Sequence, residues 1–111
     1  TLAALRELPQ RGGEPMLNRV AETYRSDSRR LLQTLEHALG AGSAPEVARA
    51  AHAWRSCNGH VGAQGLMRLC RELENQARAG ELARAPELIA QARVMYTQVE
   101  EQLQCEIRKS A

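Results

Sequence analysis

Apolar residues recur every three or four positions through almost the whole chain, and this spacing favours α-helices because it lines them along one helix face. In the longest N-terminal run they are Leu17, Val20, Tyr24, Leu31, Leu35 and Ala38. No stretch alternates apolar and polar residues as a half-buried strand would, and no repeat of fixed period is present. The sequence therefore predicts an all-α fold without strands.

Glycine and proline divide this pattern into separate helices. A short first helix ends at Pro9 and Gly12, and the next begins at Pro15, where proline favours helix initiation. The next boundary is the turn from Gly40 to Pro45. After it, Gly62 and Gly80 each end a helix, and Pro86 opens the last one. The pattern predicts an antiparallel up-down four-helix bundle with a short additional N-terminal helix.

Two local features concern the ends and the continuity of these helices. The polar run Ser26-Asp27-Ser28 interrupts the apolar spacing and leaves open whether this helix is continuous, kinked or broken there. Ser43-Ala44-Pro45-Glu46 has the form of a capping box, which places the start of the third helix there. The residues that we expect to face the core in the last three helices are Val47, Ala50, Trp54, Cys57, Val61, Leu66, Leu69, Cys70, Leu73, Ala77, Leu88, Ala92, Met95, Val99 and Leu103.

Composition excludes several classes of protein. The 111 residues suit one domain spanning 1–111. A net charge of +2 without a clustered basic face gives no basis for nucleic-acid binding. Three cysteines without a CxxC pair are expected to be reduced thiols, each acting as a small apolar residue. No apolar run has membrane-spanning length, so we expect no membrane contact by this domain.

His52 lies on the outer face of the helix that follows Pro45. At about 100° per residue it stands roughly 200° from Trp54, which belongs to the apolar stripe. Small side chains and arginines surround it where glutamate, lysine and glutamine are usual: Ala48, Arg49, Arg55, Ser56 and Gly59. A mid-helix glycine costs about 1 kcal/mol relative to alanine, so either the helix frays or the space above the backbone is used. His52 is either an ordinary surface histidine or a group displayed for chemistry, whereas His37 and His60 are expected to be ordinary surface residues.

The residues around His52 resemble the signature of a known family. The run AHAWRSCNGHVGA at 51–63, followed by a helix with Leu66, Leu69, Cys70, Leu73 and Glu74, is similar to the histidine-containing phosphotransfer (HPt) domain, and the resemblance covers essentially the whole chain. Three residues depart from the usual pattern. Arg55 stands where lysine is commoner, Ser56 where glycine is usual, and Trp54 where a smaller aliphatic residue is found. None of these departures removes an essential group.

The resemblance implies a phosphorelay between receiver domains. A receiver carries a phosphoryl group on an aspartate, Nε2 of His52 takes it, and a second receiver accepts it. The family pattern makes Glu74 the acceptor for the Nδ1 proton of the imidazole. Helix periodicity alone places Glu74 at the border of the core stripe, where it is equally a plain surface carboxylate. Arg55, one turn from His52, is positioned to offset phosphoryl charge.

The resemblance also implies the partners. Receiver domains of response regulators or of a hybrid kinase would dock on the outer face, through Arg49, Ala48, Ser56 and Gly59. Mg²⁺ is expected on the receiver, and no cofactor or metal on this chain. We expect a cytoplasmic monomer, either free-standing or the cytoplasmic tail of a bacterial membrane-bound sensor kinase, and the start at Thr1 without methionine favours the tail.

Other classes of function predict different features. A non-phosphorylated helical bundle that docks receivers would have the same fold and the same face, and differs only in whether His52 takes up phosphate. A metal or haem bundle needs ligands that converge on the core, such as paired Glu-x-x-His motifs, and no such pair is present. An autonomous kinase or other enzyme is not expected because the sequence has no glycine-rich nucleotide loop and no nucleophile–base pair.

Overall fold

The computed structural model describes residues 13–110, which form four helices and no strand. They are α1 (Gly13–Gly40), α2 (Ala44–Val61), α3 (Gln64–Arg78) and α4 (Ala85–Ser110). The all-α prediction is confirmed. The short additional helix predicted ahead of Pro9 lies outside the described residues.

Each helix packs against two others, so that the four helices enclose a single core. α1 contacts α2 and α4, and α3 contacts the same two helices. Residues 41–43, 62–63 and 79–84 connect successive helices. Connections this short return each helix alongside the previous one, as the up-down four-helix bundle requires.

The shortest connection, between α2 and α3, depends on Gly62. Its φ of 72° lies in the left-handed region, which glycine adopts without steric cost. Its N–H bonds the carbonyl of Gly59, and the N–H of Ala63 bonds the carbonyl of Asn58. The chain therefore reverses within residues 62–63, as the sequence predicted, and α3 lies directly beside α2.

The core contains most of the residues predicted to be buried, but Cys57 on α2 and Leu69 on α3 are only partly buried, and α4 also differs from the prediction. Met95 is only partly buried, whereas Tyr96 beside it is 6% exposed. Ala85 and Ile89 are also buried, although the sequence analysis did not assign them to the core. The buried stripe of α4 is wider than one row of side chains because this helix packs against both α1 and α3.

The polar run at residues 26–28 does not break α1, whose continuity the sequence left open. Helix α1 is continuous from Gly13 to Gly40. Ser28 is fully buried, and its Oγ accepts a hydrogen bond of 2.9 Å from Nε1 of Trp54. A serine is suited to this core position because the indole N–H of Trp54 needs a buried acceptor.

The start of α2 is where the capping box predicted it, but the capping bonds do not form. Ser43 occupies the N-cap with an extended backbone and makes no side-chain capping bond. Pro45 takes one of the two positions whose N–H a capping serine normally binds, and proline has no N–H. Glu46 instead pairs with Arg49, with 2.5 Å between Oε1 and Nη1.

Asn58 connects α1 to α3 through the middle of the bundle. It is fully buried, its Oδ1 accepts a 2.6 Å hydrogen bond from the Tyr24 hydroxyl, and its Nδ2 donates to Sγ of Cys70 at 3.6 Å. Burial raises the pKa of the Cys70 thiol to about 12. Cys70 therefore stays protonated at neutral pH, and all three cysteines are free thiols.

Among the described residues, no helix combines the length and apolarity that crossing a membrane requires.

Candidate functional site

His52 projects from the middle of α2 into solvent. Its side chain is 52% exposed, whereas Trp54, two residues later, is fully buried. The helical periodicity predicted that His52 and Trp54 lie on opposite faces of α2, and the structure confirms this. Both polar contacts of the imidazole involve Nδ1, and within residues 13–110 Nε2 makes none.

Glu74 on α3 lies beside the imidazole. Its Oε2 is 3.0 Å from Nδ1 of His52, and its side chain is only 4% exposed. Leu73 and Ala77 on the same helix are buried in the core, which holds this turn of α3 against α2. The structure therefore places Glu74 where the family pattern expects it, and not on the open surface.

Two arginines surround the Glu74 carboxylate. Nη2 of Arg78 is 2.5 Å from Oε2, and Nη1 of Arg55 is 3.6 Å from Oε1. No role for Arg78 was predicted from the sequence. A glutamate followed four residues later by an arginine on one helix was the signal that pointed to this pair.

Nδ1 of His52 lies between an acceptor and a donor, so its protonation depends on which contact prevails. Nη2 of Arg55 is 3.3 Å from Nδ1, and a guanidinium only donates. With the proton on Nδ1, the imidazole donates to Glu74, and Nε2 keeps its lone pair. With the proton on Nε2, Nδ1 accepts from Arg55. The bond to a carboxylate is shorter and charge-assisted, and therefore favours the tautomer with a free Nε2.

A groove of about 540 Å³ runs beside His52 between α2 and the end of α3. Its lining is mostly small and apolar, with Ala44, Pro45, Ala48 and Ala77, and Arg49 and Arg78 also contribute. The prediction that Ala48 is displayed on the outer face is wrong, since it is only 7% exposed. What remains exposed of Ala48 lies in the groove.

The other residues predicted for docking are exposed. Arg49 is 72% exposed and pairs with Glu46, and Ser56 and Gly59 also face solvent. A Cβ on Gly59 would be 3.6 Å from Cε of Met67, an ordinary van der Waals contact. The space beside Gly59 is therefore bounded by α3 on one side.

Gly59→Ala should raise the free energy of unfolding by up to about 1 kcal/mol, because glycine is the poorer helix former and the added methyl group fits against Met67. Gly59→Gln should keep most of this gain and project further from the helix. If receivers lie over this residue, phosphotransfer should fall in the order Gly, Ala, Gln. Urea unfolding and transfer rates on the three proteins test both parts, and full transfer by Gly59→Gln would remove Gly59 from the docking face.

Comparison with known proteins shows the family of this chain. Residues 19–102 match the sequence model of the Hpt domain. The chain belongs to the Hpt domain family. A crystal structure of histidine-containing phosphotransfer protein B (HptB) from Pseudomonas aeruginosa PAO1 superposes with a TM-score of 0.85 at 33% sequence identity, covering 97% of this chain and 90% of that one. No curated protein matches the chain.

Family membership establishes the general role. This Hpt domain is a phosphotransfer intermediate of two-component signalling, and Hpt domains interact with receiver domains. Its other two histidines, His37 and His60, are exposed, and neither side chain has a hydrogen bond or a carboxylate partner in the described part of the chain. Within residues 13–110 of this Hpt domain, no group of histidine, cysteine, aspartate and glutamate side chains is arranged to hold a metal ion.

Proposed function

We propose that His52 is the phosphoryl acceptor of this Hpt domain, taking the group from a receiver aspartate and passing it to the aspartate of a second receiver. The observation that carries this proposal is the pairing of an exposed imidazole with a buried carboxylate. Glu74 accepts from Nδ1 at 3.0 Å, which leaves the lone pair on Nε2, an atom without polar contacts within residues 13–110.

In the proposed step the Nε2 lone pair attacks phosphorus in line with the acyl phosphate bond of the receiver. The N–P bond forms as the P–O bond to the aspartate breaks, and the aspartate leaves as a carboxylate. The ring keeps its Nδ1 proton and becomes positively charged. Glu74 stabilises that charge at 3.0 Å, in the role an acidic residue has beside a catalytic histidine. Transfer to the second receiver reverses the step, and Mg²⁺ bound by the receiver assists both.

Receiver docking is proposed over the exposed face of α2 and the adjoining groove. The small residues of the groove allow a partner side chain to enter beside His52. Arg49 and Arg55 on α2, with Arg78 on α3, give this face a positive charge that suits the acidic pocket of a receiver. A cytoplasmic location is part of the proposal, since free thiols suit a reducing compartment. The carrier is proposed to act as a monomer.

The proposal is tested by incubating the protein with radiolabelled phosphorylated receivers from the same organism in the presence of Mg²⁺. We expect the label to move to this chain with at least one receiver, in a form that is labile to acid. Binding to a receiver without any uptake of label would instead support the non-phosphorylated docking module.

Arg55→Ala should slow phosphotransfer or shorten the lifetime of the phosphohistidine, and Arg55→Lys should largely preserve both. The reason is charge, because a cation one turn from His52 offsets that of the phosphoryl group. All three proteins are compared with one receiver at one Mg²⁺ concentration. Equal rates and lifetimes for all three would make Arg55 an ordinary solvated residue.

A further inference from the structure

The negative charge of Glu74 is buried, and its two oxygens are not equally satisfied. Oε2 contacts both Nδ1 of His52 and Nη2 of Arg78, at 3.0 and 2.5 Å. Oε1 is buried and has no hydrogen bond, and its nearest cation is Arg55 at 3.6 Å. A buried carboxylate needs a positive partner. Arg78, the more distant Arg55 and a protonated His52 are the groups that can supply it.

We propose that Arg78 is a positioning residue that keeps the His52 imidazole neutral by neutralising Glu74. The inference rests on the proposed function of His52 and extends it to a residue outside the nucleophile's own helix. Arg78 holds Oε2 in place and supplies its counter-charge, so that the imidazole gives Glu74 only its Nδ1 proton. Nε2 then keeps the lone pair that attacks phosphorus.

Among the charged groups around His52 and Glu74, Arg78 is the main counter-charge for the Glu74 carboxylate. On α2, Arg55 is further from the carboxylate, and Arg49 pairs with Glu46. On α3, Arg78 is the closest cation to Glu74. Within the described residues, α1 and α4 contribute no hydrogen bond or ion pair to His52 or Glu74. Without Arg78, only the more distant Arg55 would face the carboxylate, and the uncompensated charge of Glu74 would favour a second proton on Nε2, which removes the lone pair that attacks phosphorus.

Arg78→Met tests this because it removes the charge and keeps an unbranched side chain. Arg78 is 64% exposed, so the fold should tolerate the change. Phosphoryl acceptance from one receiver is measured between pH 6 and 8.5. We expect a loss of about two- to fivefold near pH 6.5, the size typical of a partly exposed ion pair, and recovery towards the wild-type rate at the alkaline end. Arg78→Lys, which keeps the charge, should retain the wild-type profile.

Two controls separate this role from a structural one. Arg84→Met removes a guanidinium that pairs with Glu72 at 2.6 Å, and should leave the pH profile unchanged. In a Glu74→Gln background there is no buried charge to compensate, so adding Arg78→Met should have little further effect on the profile. A profile of Arg78→Met that is parallel to the wild type, with only a lower unfolding midpoint, would overturn the proposal.

A spectroscopic readout does not depend on phosphotransfer. In the unphosphorylated protein at neutral pH, the ¹⁵N resonance of His52 Nε2 should move in Arg78→Met towards the position of a protonated nitrogen. It should stay unchanged in Arg84→Met. If His52 accepts no phosphoryl group from any receiver, the proposed function fails, yet this shift still supports Arg78 as the counter-charge. An unchanged resonance in Arg78→Met overturns the role of Arg78 even where phosphotransfer occurs.

Discussion

His52→Gln should abolish all acid-labile phosphorylation of the chain. Glutamine has a polar side chain of similar reach, but its amide nitrogen is not a nucleophile, so no N–P bond forms. Because the side chain of His52 is 52% exposed and packs little, helical content and the unfolding midpoint should remain close to those of the wild type. The measurement is transfer of label from a phosphorylated receiver, with circular dichroism as the check on folding.

The chain contains its own matched controls for this experiment. His37→Gln and His60→Gln make the same chemical change at exposed histidines that have no carboxylate partner among the described residues, and both should retain full labelling. Undiminished labelling of His52→Gln would move the phosphorylated residue elsewhere. It would also show that the pair of His52 and Glu74 does not take part in phosphoryl transfer.

Trp54→Ala should lower the free energy of unfolding by about 3–5 kcal/mol, the range for removing a large aromatic side chain from a packed core. Trp54 is fully buried, and its ring centroid lies 6.3 Å from that of Tyr96 on α4. It therefore connects α2 to the opposite side of the bundle, only two residues from His52. Urea unfolding followed by circular dichroism measures the loss, and a loss below about 1 kcal/mol would contradict this placement in the core.

Milder changes at the same site isolate its hydrogen bond. Ser28→Ala leaves the buried indole N–H without an acceptor and should cost about 1–3 kcal/mol. Trp54→Phe removes the donor and part of the apolar surface. The double variant should lose less stability than the sum of the two single losses. Each single variant already breaks the Trp54–Ser28 hydrogen bond, so the double variant has no second bond to lose. Strict additivity would show that this hydrogen bond adds nothing to stability.

Much of the fold was predictable because the information is local. Helix periodicity, with glycine and proline at the boundaries, predicted the four helices and the turn at Gly62, whose φ is 72°. The same periodicity predicted that His52 and Trp54 lie on opposite faces of α2. These properties depend on residues within a few positions of one another. No packing partner is needed to derive them.

Single polar residues inside the bundle were harder to predict. Ser28 looked like part of a break in α1, and Asn58 received no role, yet each is fully buried and bonded to a residue on another helix. Each polar residue is compatible with the core only because its partner, Trp54 or Tyr24, comes from a helix elsewhere in the sequence. The partner is invisible to a local pattern.

The sequence by itself determined the helical class, the helix boundaries and the outward direction of His52, since each follows from local periodicity and backbone preference. Only the tertiary structure decided that Glu74 is buried against the imidazole, that Arg78 shares its Oε2 and that Ala48 is buried. The physical reason is that these contacts depend on the rotation and the axial offset of α3 relative to α2. Packing of the whole core sets both quantities, and no single helix contains that information.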